Sequence, residues 1–150
     1  MANQGTKLSL KFFRYSFVAL CFVVTALGNY AATAATVTQI IIPQGQDRFL
    51  PFGATVHAGG SVKWINQDGE EHIIKSDDFF TTTKERRIDH FVVGTGANNG
   101  QPGEYTLKFT KPGLFVYYCS IHAKLDSKHQ PVSKMVGNNA PMMGVIAVVP

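Results

Sequence analysis

Hydrophobic positions change their spacing once along this chain, near residue 36. Upstream lies one long, mostly apolar run over residues 15–27, and downstream come short segments punctuated by proline and glycine. Thr36-Val37-Thr38-Gln39-Ile40-Ile41-Ile42 is rich in β-branched residues and stops at Pro43. A short run over residues 54–57 is closed by Gly59-Gly60. Ser61-Val62-Lys63-Trp64-Ile65-Asn66 alternates, placing Val62 and Trp64 on one face, and enters the turn residues Gln67-Asp68-Gly69. His72-Ile73-Ile74-Lys75 follows, then an alternating segment over residues 105–109 closed by Lys111-Pro112-Gly113. Further runs cover residues 114–119 and 144–149. Each reads as a strand, and no stretch after residue 35 repeats convincingly at helical spacing, so the expectation is an all-β sandwich or barrel. Alternation turns Phe115, Tyr117 and Cys119 inward and Tyr118 the other way. Trp64, in step with Val62, belongs to the core. Residues 94–103, containing Asn98-Asn99-Gly100, read as an irregular surface loop.

The apolar run has the surroundings of a secretory signal peptide. Lys7, Lys11 and Arg14 precede it without any acidic residue, and Ala31-Ala32-Thr33-Ala34-Ala35 follows. Residues 1–34 are therefore expected to be a leader cleaved after Ala32-Thr33-Ala34, with residues 35–150 forming the mature domain. The alternative is an uncleaved signal anchor, although the run is shorter than the ~20 residues of a spanning helix. Loss of the leader removes three basic residues from a formal charge of +4, leaving 4 − 3 = +1. The basic character thus belongs mostly to the targeting segment, and nucleic acid is not an expected partner. No lipid-anchor signal ends the chain and no Asn-x-Ser/Thr acceptor occurs in it, so neither a stable membrane anchor nor ordinary N-glycosylation is expected.

Of the two cysteines, Cys21 leaves with the leader, so Cys119 is alone in an oxidising compartment. Intermolecular pairing would explain such a thiol, and so would metal ligation. Cys119 closes an apolar strand, and His122 follows in a C-x-x-H spacing that a tight turn can fold onto one ion. His72 opens a strand just after a turn, and Met142 and Met143 precede the last strand. Thiolate, imidazole and a weak thioether are the donors that copper accepts in both of its common oxidation states. C-x-x-H alone is a weak signal. An orphan cysteine with a turn histidine upstream and a methionine downstream is a stronger one.

Those residues carry a resemblance. Val62-Lys63-Trp64-Ile65-Asn66-Gln67-Asp68 with His72 resembles the first copper motif of the cupredoxins, notably the plastocyanin-like ones. Phe109-Thr110-Lys111-Pro112-Gly113, then Val116-Tyr117-Tyr118-Cys119-Ser120-Ile121-His122, resembles their second motif, and the segment from Met142 to Val148 resembles their closing M-x-G-x-[IV]-x-V. The resemblance implies a Greek-key β-sandwich holding one mononuclear type 1 (blue) copper. Its ligands would be His72, Cys119, His122 and Met142. It also implies an exposed edge of His122 framed by Phe52, Ile121 and Pro141. A departure stands beside it: residues 123–141 form a long polar loop where the family has only a few residues. Met135 in that loop and Met143 are therefore rival axial donors, with Met142 favoured because it leads directly into a strand.

The function implied is one-electron transfer, in an exported compartment, between transient redox partner proteins, by a monomer without catalytic turnover. The rival is copper storage, delivery or sensing on the same ligands. Export points to the extracellular space, with the thylakoid lumen or periplasm as the alternative. A cysteine hydrolase and a multicopper oxidase are set aside, the latter for want of further His-rich motifs. His57, His90 and His129 are expected to be ordinary histidines rather than ligands. In plastocyanin a surface tyrosine matching Tyr118 adjoins a docking patch, but here Glu70-Glu71 and Asp77-Asp78 are separated by Lys75 and make a poor acidic cluster.

Overall fold

The computed structural model describes residues 36–77, 88–137 and 140–150. The expected leader at residues 1–34 with its cleavage site, Cys21 within it, Asp78, Asn138 and Asn139 lie outside the described residues.

Among the described residues ten strands are formed: β1 Val37–Ile42, β2 Gly53–His57, β3 Ser61–Asn66, β4 His72–Lys75, β5 Asp89–Val92, β6 Gly103–Lys108, β7 Gly113–Cys119, β8 Ala123–Leu125, β9 Pro131–Ser133 and β10 Met143–Val149. Each of the seven expected runs is a strand, with ends within a residue or two of the reading. The additions are β5 and the pair β8 and β9. Residues 94–102 stay irregular apart from a 3-10 turn at Thr95–Ala97, and Gly103, expected in the same loop, opens β6.

A three-stranded sheet in the order β1-β3-β6 accompanies a five-stranded sheet in the order β2-β10-β7-β4-β5. β1 runs parallel to β3 and β2 parallel to β10, whereas the other pairs in these sheets are antiparallel. Sequence neighbours therefore often lie in different sheets, the arrangement that Greek-key connections produce. The apolar core takes Ile40 and Ile42 from β1, Val62 and Trp64 from β3, Phe115 and Tyr117 from β7, and Ile146 and Val148 from β10. Period-two alternation is the cause, since β3 and β10 bury every second residue. Trp64 stacks on Tyr105 at 5.4 Å and meets Tyr117 edge-on at 5.5 Å, so it packs the core as expected.

Two departures concern the surface. Tyr118 does lie on the outer side of β7, but it is covered, at 5% exposure. Burial raises its phenol above the ordinary value. The stretch expected to be a polar loop contains a β-hairpin, with Ala123 opposite Ser133 and Leu125 opposite Pro131. Lys134 returns from it to the strand end, donating from its backbone N–H to the His122 carbonyl at 2.9 Å and from Nζ to the Ser120 carbonyl.

Candidate metal centre

Three chain segments meet at one end of the five-stranded sheet. Cys119 ends β7, and its amide donates to the Met142 carbonyl at 2.9 Å. The next amide, of Ser120, donates to the Ile73 carbonyl at 3.0 Å, which ties the ligand turn to β4. His72 opens β4 and pairs with Val92 across to β5. His122 stands in the turn between β7 and β8.

The side chains converge. His72 Nδ1 is 3.6 Å from Cys119 Sγ. One ligand atom from each of His72, Cys119 and His122 lies within 4.8 Å of the others. Cys119 and His72 are fully buried, and His122 is 5% exposed. His122 Nδ1 is a buried nitrogen with no hydrogen-bond partner among the described residues. Such an orphan is costly unless something accepts its lone pair. Donors about 2.0 Å (nitrogen) and 2.3 Å (sulfur) from a shared ion stand roughly 3.5–3.7 Å apart. The observed separation therefore fits an ion held between them, and thiolate with two imidazoles fits copper.

Each histidine has a carboxylate behind it. His72 Nε2 is 3.3 Å from Asp68 Oδ2, and His122 Nε2 is 3.5 Å from Asp47 Oδ1. Both histidines thus turn Nδ1 towards the centre and Nε2 away from it, the arrangement in which an outer partner fixes ring orientation. Asp47, Asp68 and His72 also form a compact donor group. Burial pushes the His72 imidazole below its ordinary value, with Asp68 opposing the shift, so the neutral form is favoured. Burial of Asp68 works to raise its carboxyl. The amides of Gly45 and Gly69 and then His72 outweigh it, and the net displacement is downward.

A backbone frame holds the Asp68 carboxylate. Asp68 Oδ1 accepts from the Gly69 amide at 2.7 Å and from the Gly45 amide at 2.9 Å. Gly45 adopts φ +65°, the left-handed conformation that glycine takes without strain. Asn66 Oδ1 accepts the Asp68 amide at 3.0 Å while Nδ2 donates to the Glu70 carbonyl at 2.8 Å. Thr95 closes the frame with amide and hydroxyl bonds to the Asp68 carbonyl at 2.7 and 3.0 Å.

The expected ligands fare differently. His72, Cys119 and His122 come together. Met142 is buried at 1% exposure beside Cys119, Met143 is half-buried, and Met135 is 42% exposed on the stretch after β9. The anticipated open edge of His122 is not there, because the ring is covered and Asp47 faces its outer nitrogen. Phe52 and Ile121 are exposed as expected, and Pro141 is half-buried. His57 is exposed with Nδ1 2.8 Å from the Pro150 carbonyl, His90 stacks on Tyr105 at 3.9 Å, and His129 is exposed in the hairpin turn; none joins the cluster. Asp47 was missed altogether. Asp68 stands in the first motif only four residues before His72, whereas Asp47 is far from His122 in sequence and no one-dimensional pattern pairs that carboxylate with that ring.

Sandwich topology and the His-Cys-His cluster together define the class: the chain has the cupredoxin fold, with three donors grouped as at a blue copper site. No protein-family model matches the sequence. Among solved structures, the chain is similar to an oxidized mutant of amicyanin, with TM-score 0.51 and 18% identity over 79% of this chain and 87% of that one. It is also similar to a Cu-containing nitrite reductase (NirK) from Thermus scotoductus SA-01, with TM-score 0.51 and 19% identity over 77% of this chain. It spans 23% of that reductase. A novel purple cupredoxin from Nitrosopumilus maritimus aligns at TM-score 0.48 and 21% identity over 74% of this chain and 98% of that one.

Proposed function

We propose that the chain binds one copper ion through His72, Cys119 and His122, with Met142 as the weak axial donor, and that it carries single electrons between redox proteins. One observation carries the reading: His72 Nδ1 and the Cys119 thiol face each other at 3.6 Å in a buried cluster. Copper bound there would cycle between Cu(I) and Cu(II). The protein supplies a thiolate and two imidazoles whose rings are set before the ion arrives. Ligands pinned by a sheet and by backbone bonds rearrange little between oxidation states, which suits a carrier. Burial of Met142 beside Cys119 supports it over Met135. We read residues 1–34 as a leader removed on export, and residues 35–150 as a monomer that meets its partners transiently.

The decisive experiment adds Cu(II) to the purified mature protein and records its visible spectrum. An intense thiolate-to-copper band is expected, and it should vanish in Cys119→Ala. Folded protein that stays colourless would overturn the reading. Because ligation needs a thiolate and neutral imidazoles, affinity should fall as the solution is acidified. Self-exchange kinetics separates the carrier from a copper store or delivery protein, which needs no rapid exchange.

A further inference from the structure

The ring edge of His122 is the place where this chain departs most from an open site. The 43–49 segment reaches it. That segment leaves β1 at Pro43 and turns through Gly45. Gly45 is bonded to Asp68, and reciprocal Ile41–Leu50 backbone bonds of 2.7 and 2.8 Å close the segment. Asp47 is carried at its middle, with its side chain 29% exposed, and its Oδ1 stands 3.5 Å from His122 Nε2. Asp47 also belongs to a compact donor group with Asp68 and His72, whose ligand atoms all lie within 4.8 Å of one another. One carboxylate is therefore placed against both candidate copper ligands, on a loop fastened by the carboxylate that backs the other histidine.

We propose that Asp47 is a positioning residue for the copper centre: it holds His122 with Nδ1 inward and stabilises the more positive oxidation state of the bound ion. This rests on the copper reading above. Two consequences follow from the placement. The ring is backed from its outer side by an acceptor, so an Nε2-bound proton is retained and Nδ1 offers its lone pair. The added negative charge favours Cu(II) over Cu(I), so the reduction potential is lower than the same ligands would give without it. Loss of an outer-sphere partner of this kind weakens metal binding by about 10–100-fold.

The test uses Asp47→Ala and Asp47→Asn in the mature protein. Asn keeps an acceptor and loses the charge, whereas Ala loses both. In copper-free protein, nitrogen-proton NMR of the His122 ring should show a slowly exchanging Nε2–H in wild type and in Asp47→Asn, and lose it in Asp47→Ala. In copper-loaded protein, both variants should lose about tenfold more affinity for Cu(II) than for Cu(I), a rise of about 59 mV in midpoint potential. Equal losses for both oxidation states with an unchanged potential would mean that Asp47 merely props the loop, and would overturn the proposal. So would a ring proton that exchanges alike in wild type and Asp47→Ala. Failure to bind copper would sink the functional reading, while the copper-free spectra would still decide the role of Asp47 towards His122.

Discussion

Gly144 shows how a single residue of the site's frame is dictated by packing. A Cβ built there would run into the Tyr117 hydroxyl and stand 2.5 Å from Tyr117 Cζ, and that ring is fully buried between Phe49 and Trp64. The tyrosine has nowhere to retreat. Gly144→Ala is therefore expected to cost about 1–3 kcal/mol in urea unfolding, the usual range for overfilling a packed core. An unchanged midpoint would show that the ring can slide. Met142, two residues before it, makes the opposite kind of prediction. Leu nearly matches it in volume, so Met142→Leu should lose less than about 1.5 kcal/mol of stability. As the proposed axial donor it should nevertheless move the midpoint potential measurably, because an axial thioether tunes potential more than it holds the ion. Met135→Leu, at an exposed position, should leave that potential unchanged. The glycine and methionine were both legible in the closing motif. The steric reason for the glycine was not, since it depends on a tyrosine from a neighbouring strand.

Strands announce themselves in sequence when one face is buried, and that explains which elements were readable. β3 and β10 alternate cleanly and were found close to their true limits. Among the described residues β5 is an edge strand, paired only to β4, and three of its four residues are exposed. With so little buried, Asp89-His90-Phe91-Val92 carries no alternation to detect. The three-residue strands β8 and β9 are hidden for a similar reason. Their hairpin is organised by polar bonds instead: Asp126 Oδ1 accepts the Lys128 amide at 2.8 Å and the Gln130 amide at 2.9 Å. The Gln130 bond is the main cause that holds the Asp126 carboxyl below its ordinary 3.8. A carboxyl lowered on folding contributes stability above its unfolded value and loses that contribution as pH falls through the folded one. Protection of the Lys128 and Gln130 amides in hydrogen exchange should therefore hold from neutral pH to about 3.8 and decline below it. In Asp126→Ala the protection should be weak throughout. If wild-type protection stayed level down to pH 2, the carboxylate would not be what orders the turn.

At the scale of the whole domain, the centre joins parts that are far apart in the chain. His72 comes from β4, Cys119 from β7 and His122 from the turn leading to the inserted hairpin, while Met142 stands at the entry to β10. The frame behind them adds Asp47 before β2 and Asp68 after β3. The three motifs were readable because each is a local string, and so was the class of fold. The Gly45–Asp68 bond and the placement of Asp47 against His122 were not, because both arise only when the 43–49 segment folds back onto the site. Such a layout couples metal binding to the integrity of the fold. An ion bound by the native state alone, at a free concentration one hundred times its dissociation constant, stabilises that state by about 2.7 kcal/mol. For a domain of this size, each kcal/mol corresponds to roughly 3–6 °C, so copper should raise the melting temperature by about 8–16 °C in calorimetry. Cys119→Ala removes the strongest donor but only a small buried group. It should melt near the copper-free wild type and show little of the rise. Equal copper-induced shifts in both proteins would place the stabilising ion somewhere other than this cluster.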